Sequence, residues 1–320
     1  MHRDELRVMA KVADLYYRLG LKQTAISAQL GVHQSSISRL LKRAEQEGIV
    51  RFTLNYPVGF HPELESALEK SFGLKQAIVV DSAPSDRELV RLLGSATATH
   101  LSGILRPADV VGISSWSSSL LAIIEAMRTG DATGAKVVQI LGGVGNPSAE
   151  AHATHLTQRL AQLINGAPVL LGAPGVVPNA NAREVLMNEP YVRQALGLFK
   201  DITIALVGIG AVEPSTLLSE SGNAFSDEQL QSLKRAGAVG DICMRFFDAH
   251  GKPVDSALNA QVIGMSLDEL KNVSRVVGVA GGMRKRDAIL AALRGGWIDV
   301  LVTDADVAES IVQSLGEDGK

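Results

Sequence analysis

The chain has 320 residues, enough for two domains, and its 46% hydrophobic and 20% charged residues exclude wholesale disorder. Only 4% of residues are aromatic while 31 are Gly, which fits α/β layers better than a β-sandwich, and the single Cys243 excludes an intrachain disulfide or a Cys-rich metal site. The net charge of −3 hides an asymmetry: residues 1–56 carry nine basic and five acidic residues, +4, and the remainder 22 and 29, −7, so only the first segment is suited to a polyanion. The N-terminus is charged and amphipathic without the apolar core of a signal peptide, and no apolar run reaches the ~18 residues of a membrane span, so a reduced, cytoplasmic protein away from the membrane is expected.

Taken in chain order, Val8, Val12, Leu15, Tyr16 and Leu19 form one helical stripe that Gly20 ends. A short helix is predicted over 24–30, with Thr24 as a candidate cap, Ile26 and Leu30 facing inward, and small Ser27 allowing close helix approach. Gly31-Val32 makes a tight turn. A third helix over 34–46 buries Ile37, Leu40, Leu41 and Ala44 on one side. Two residues turn a helix by about 200°, so Ser35, Ser38, Arg39 and Lys42 lie almost opposite. A helix packed by one face and showing hydroxyl and cationic groups on the other has the chemistry of major-groove reading. Gln34 and the serines can reach base edges or phosphates, Arg39 can grip guanine, and Lys42 and Arg43 can neutralise phosphate. Its N-terminus, with Gln34, Ser35 and Ser36, offers free N–H groups. The residue before it is His33, a poor cap that could instead touch phosphate. The spacing predicts a helix-turn-helix, and the alternation of Ile49 to Leu54 predicts a wing strand.

A linker at Tyr56–Pro62 and a helix over 62–72 lead into alternating strands and helices. Strands are predicted at 77–81, 109–114, 136–141, 169–171, 202–207, 242–247, 273–279 and 300–303, with helices at 86–105, 117–128, 148–165, 190–198, 226–236, 284–294 and 305–315. Several strands are apolar on both faces, which predicts a doubly wound, mostly parallel sheet under helices on each side. In such sheets a ligand sits beyond the carboxyl ends of the strands. There the chain places Ser114-Ser115-Trp116-Ser117-Ser118-Ser119, Gly142-Gly143, Gly208-Ile209-Gly210, Ala280-Gly281-Gly282 with Lys285, and Thr303-Asp304. Glycines admit backbone amides, hydroxyls donate, and a lysine adds a point charge, which together suit a small polyhydroxy ligand, phosphorylated or not. His152 and His155 share a helix without a carboxylate or Cys partner and read as surface residues, and Cys243 reads as core within a strand. No Ser/His/Asp set, carboxylate pair or cofactor motif stands out.

In this order, with Gly237-Ala238-Val239-Gly240-Asp241-Ile242 and Phe246-Phe247-Asp248 between the later glycine turns, the motifs resemble the SorC family of bacterial sugar-responsive transcriptional regulators, grouped with DeoR-type proteins. The resemblance covers nearly the whole chain. It implies a DNA-binding domain over 1–56 fused to an effector-binding and oligomerisation domain over 57–320 related to sugar-phosphate isomerases and glucosamine-phosphate deaminases. The implied partners are operator DNA, a sugar, sugar phosphate or polyol, and further copies of the chain as dimer or tetramer, with no cofactor. By position, Ser115, Ser117, Ser118 and Ser119 would hold phosphate or sugar hydroxyls, Gly142, Gly143, Gly208 and Gly210 would line the site, and Asp241, Lys285 and Asp304 would lie near the ligand. The chain departs at Trp116-Ser117-Ser118-Ser119, where the family often has Trp-Gly-x-Thr, and at Leu141, where Asn is frequent. The alternative is an isomerase- or deaminase-like enzyme using a carboxylate near Asp241 or Asp304 as general base.

Overall fold

The computed structural model describes every residue except 1, 2, 55, 58, 214–217, 220, 223 and 318–320, and the side chains of 3, 147–152 and 317 also lie outside the description. The chain divides into two compact units, Met1–Val58 and Gly59–Lys320. Among the described residues no helix is long and apolar enough to cross a membrane.

The first unit is three helices, α1 (Arg3–Ala13), α2 (Gln23–Leu30) and α3 (Gln34–Gln46). Val12, Leu15, Ile26, Ile37 and Leu41 form one small core, and Met9, Ala13 and Ala44 a second. The apolar stripe of the first helix differs from its simple period. Met9 and Val12 are buried while Val8 is half-exposed, and beyond them Asp14–Arg18 form a π turn, which changes the angle between successive side chains and leaves Leu15 buried and Leu19 half-exposed. Gly20 and Gly31 take the left-handed conformation that ends a helix, and the Ser27 hydroxyl donates to Val32 O at 2.5 Å across the turn. The N-cap of α2 is Lys22, so Thr24 lies inside the helix and caps nothing. The expected wing strand is absent from the described residues: Ile49 and Val50 form a bend, with Val50 N donating to Ala44 O at 3.1 Å, and 51–54 carry no regular secondary structure. The alternation serves packing instead. Ile49 and Val50 lean on the Met9 core, and Phe52 meets Tyr17 edge-on at 5.1 Å.

The second unit holds a seven-stranded sheet, all of whose pairings are parallel. Its strands are β1 (Gln76–Val80), β2 (Val110–Ile113), β3 (Lys136–Gln139), β4 (Ala167–Val169), β5 (Ile204–Gly208), β9 (Arg275–Val279) and β10 (Val300–Asp304), ordered β1-β10-β9-β5-β2-β3-β4. Alternate residues feed opposite faces: Ile204 and Leu206 enter one core, Ala205 and Val207 the other. The layers are completed by α4 (Pro62–Phe72), α5 (Asp86–Ile104), α6 (Ser118–Ala126), α7 (Pro147–Leu163), α8 (Ala180–Met187), α9 (Pro190–Gly197), α10 (Asp227–Arg235), α11 (Leu267–Lys271), α12 (Arg286–Arg294) and α13 (Ala305–Glu317).

One predicted strand is two. In place of a single run over 242–247, β7 (Ala238–Ile242) and β8 (Arg245–Asp248) form a hairpin, joined by β6 (Gly210–Ala211) in a small antiparallel sheet. Cys243 and Met244, both at positive φ, make its two-residue turn, so Cys243 is a buried turn residue rather than part of a strand.

Candidate functional site

The sheet order places a topological switch between β2 and β5. The chain leaves β2 toward β3 and β4, then resumes on the opposite flank of β2 at β5. A cleft opens beyond the carboxyl ends of these two strands, where such folds bind ligands. Its walls come from the Ser114–Ser118 loop, the Gly208–Ala211 segment, Asp241 with the Cys243-Met244 turn, and Arg284-Lys285.

Each wall has a local structural cause. Ser117 caps α6, accepting from Leu120 N at 3.4 Å, so the N-terminus of a nine-residue helix and two serine hydroxyls, those of Ser117 and Ser118, meet at the cleft. Gly208 and Gly210 are small because no side chain fits. A methyl on Gly208 would lie 2.9 Å from Ser117 Oγ, and one on Gly210 would lie 2.1 Å from Asp241 Oδ1. Asp241 is positioned by its own hairpin turn, Oδ2 accepting from Met244 N at 2.9 Å. Lys285 sits in a short 3₁₀ turn, Met283–Lys285, ahead of α12 rather than inside it.

Burial pushes the Asp241 carboxyl up to about 6, opposed by the Met244 N–H and the Lys285 charge. Burial pulls the Lys285 ammonium down, helped by Arg284 and opposed by Asp241 and Asp86. No ion pair within 4 Å joins Asp241 and Lys285 among the described residues. Glu213, also at the cleft, is engaged by Lys234. Burial, and then the Asp241 charge, push the Cys243 thiol up to about 12, which disfavours the thiolate.

Of the expected ligand residues, Ser114, Ser117, Ser118, Gly208, Gly210, Asp241 and Lys285 are brought together here. Five are placed elsewhere. The Ser115 hydroxyl donates to Leu141 O at 2.7 Å and accepts from Gln139 Nε2 at 3.0 Å, and Ser119 is buried inside α6. Gly142 and Gly143 serve packing: added methyls would strike the Pro174 backbone O at 2.3 Å and the Gln139 side-chain Nε2 at 2.1 Å. Asp304 accepts from Gly282 N at 2.7 Å and Val307 N at 3.3 Å, bracing a turn and capping α13. Trp116, Leu141, Ile209, Leu218 and Met244 give the cleft an apolar side, of which Leu218 and Met244 lie outside the strand-end motifs. The side chain of His152 lies outside the described residues, and His155 is exposed.

In the first unit, Thr24, His33, Gln34, Ser35, Ser38, Arg39 and Lys42 are exposed and Ser36 is partly so. His33 occupies the N-cap of α3 without a side-chain hydrogen bond to it. Arg39 folds back loosely on Ser35 O and Ser36 Oγ, both at 3.4 Å. Arg43 is bound at 2.6 Å to Glu5 of α1 and is partly buried, so it ties two helices.

A family model described as a sugar-binding domain matches residues 56–313, and a homeodomain-like helix-turn-helix model matches 2–52. The chain is 31% identical over 316 residues to the deoxyribonucleoside regulator of Bacillus subtilis (strain 168), covering 98% of this chain and all of that one. It is 34% identical over 309 residues to the transcriptional regulator LsrR of Escherichia coli O157:H7, covering 96% and 94%. The crystal structure of the full-length sorbitol operon regulator SorC from Klebsiella pneumoniae superposes with a TM-score of 0.72 at 29% identity, covering 97% of this chain and 99% of that one.

Proposed function

Because the chain belongs to the SorC family of helix-turn-helix regulators with a sugar-binding domain, we propose that α3 reads operator DNA and that a small sugar, sugar phosphate or polyol in the cleft between β2 and β5 controls that binding. It is a sugar-responsive DNA-binding transcriptional regulator. The observation that carries the reading is the outward face of α3, where Gln34, Ser35, Ser38, Arg39 and Lys42 stand exposed while Ile37, Leu41 and Ala44 are buried.

The cleft supports a compact ligand. Its enclosed part is about 80 Å³, far below the roughly 300–1,000 Å³ of drug-sized sites. Lys285, Arg284 and the α6 N-terminus suit an anionic end, Asp241 suits hydroxyl donors, and Leu141 with Met244 suits a less oxygenated carbon. The reading is regulatory rather than catalytic. Of the two carboxylates named for proton transfer, Asp304 is spent on two backbone N–H groups. One helix-turn-helix makes few contacts, so the working form is a dimer or tetramer on paired half-sites, in the cytoplasm with the DNA.

The test is operator binding, using duplexes selected by the protein from a random pool, measured against salt concentration. The logarithm of the affinity falls linearly with that of salt, and Lys42→Ala lowers the slope by about one. Arg39→Ala weakens binding and relaxes base preference at one position. A flat salt dependence overturns the proposal.

A further inference from the structure

A second cleft of about 300 Å³ lies in the same unit and shares no lining residue with the first. Its base is Arg245, the first residue of β8, which is nine-tenths buried. Buried guanidinium groups ordinarily face a carboxylate. This one donates only to backbone carbonyls: Nη1 to Asn259 O at 2.7 Å, Nη2 to Gly264 O at 3.3 Å and Val262 O at 3.4 Å, and Nε to Met265 O at 3.5 Å. Arg183, half-buried on α8, donates Nε to the same Val262 O at 2.8 Å. Two cations therefore converge on one carbonyl oxygen at the edge of a cleft, and neither has an ion pair within 4 Å among the described residues.

Glu269 favours this charge from a distance, but no acid forms an ion pair with Arg245 among the described residues. Glu269 is occupied by its capping box, Oε2 accepting from Ser266 N and Oγ at 2.8 Å each. Asp268 lies exposed on the rim. A guanidinium carries five N–H groups in a flat fork. Arg245 keeps one Nη1 N–H unbonded, and both terminal amino groups of Arg183 have no protein acceptor among the described residues. Burial and the neighbouring Arg183 both bear against the Arg245 charge. An anion in the cleft would relieve both.

We propose that the cleft between Arg183 and Arg245 is a second ligand site, one that takes a small oxyanion of the phosphate or carboxylate class. The fork geometry of two guanidiniums matches such groups, and the concave, partly apolar walls of Phe246, Pro253 and Leu267 fit a small molecule. The site is independent of the sugar cleft and of its role in regulation.

Calorimetric titration of the full-length protein tests it, with inorganic phosphate and with malonate as a carboxylate probe. The titrations start from Lys285→Ala, which removes one of the two cations lining the first cleft and weakens anion binding there. Saturable binding of at least one probe should persist in Lys285→Ala, and adding Arg183→Gln should weaken it by about tenfold or more. Arg183→Lys, which keeps the charge but not the fork, should fall between. Arg183 contributes a single backbone hydrogen bond, so the unliganded variants should melt close to their parent. Absence of saturable binding in Lys285→Ala, or equal affinity with and without Arg183→Gln, overturns the proposal. So does a change of oligomeric state in Arg183→Gln without any probe binding, since the anion would then be a carboxylate of a second copy.

Discussion

Gly210 shows how closely the proposed sugar cleft is fitted around one carboxylate. Asp241 Oδ1 occupies the space where any side chain at 210 would begin, while Oδ2 is tied to Met244 N. Gly210→Ala must push the carboxylate aside and break that bond. Loss of a hydrogen bond to a charged group costs about 1.5–3 kcal/mol, so the effector concentration for half-maximal release or capture of operator should rise by about tenfold or more. Titrating the effector against operator binding reads this directly, and an unchanged midpoint would remove Asp241 from the site. Asp241 also leaves a mark on stability. Burial lifts its folded-state pKa to about 6 from an ordinary 3.8. The folded state thus holds its proton longer, and between about pH 4 and 6 the unfolded state binds fewer protons. This group's stabilisation is full below about pH 4 and is lost as pH rises through 6. Asp241→Asn should level that part of the stability curve, removing a decline of about 3 kcal/mol at most. Denaturant midpoints across that range check it, and a wild-type curve rising from pH 4 to 6 with no difference in the variant would refute it.

The approach of α5 to α6 is set by one glycine. A methyl on Gly94 would lie 2.6 Å from the Ala122 carbonyl carbon, so Gly94→Ala must drive the helices apart. Overpacking of this kind costs about 1–3 kcal/mol. Because α6 begins at the cleft with Ser117 and Ser118, effector affinity should fall too. Gly103, exposed on the same helix with no heavy atom within 4 Å of an added methyl, is the control, and Gly103→Ala should stabilise by about 0.5–1 kcal/mol. Thermal melts with and without ligand separate the two, and like behaviour would contradict the contact. Elements of this kind are largely legible in the sequence. The parallel strands announce themselves as runs apolar on both faces, and α3 and α4 as helices with clean stripes. Two features are not. The β7–β8 hairpin turns on Cys243-Met244, which carry none of the Gly or Asn that usually mark positive φ, so the run reads as one strand. The segment 49–54 alternates like a strand, but alternation cannot say whether a partner strand exists. Likewise, which strand-end glycines line the cleft and which merely let backbones touch, as at Gly142, depends on neighbours distant in sequence.

At the scale of the whole molecule, the charge division matters more than the total. A unit of +4 can meet DNA while one of −7 is repelled by it, so operator contact falls to the first 56 residues. On the proposed reading an effector bound in the second unit acts by changing how the heads are presented, and a coupling of about 1–3 kcal/mol suffices for a switch of roughly 5–150-fold. The units should also fail separately. A 60-residue domain buries only about 60% of its unfolded surface and is marginal. Ile37, fully buried between α1, α2 and α3, is the place to break it. Ile37→Ala should cost about 2–5 kcal/mol, comparable to all the stability such a unit has. We expect operator binding to vanish and the helical signal of the head to melt early. The second unit should keep its own transition and its full upward shift with saturating effector, since ligand stabilises only the state that binds it. Calorimetry of the variant with and without the sugar or sugar phosphate decides the matter. If the ligand-dependent shift disappears along with DNA binding, the sugar site requires the head, and the division of labour argued from charge and contact is wrong.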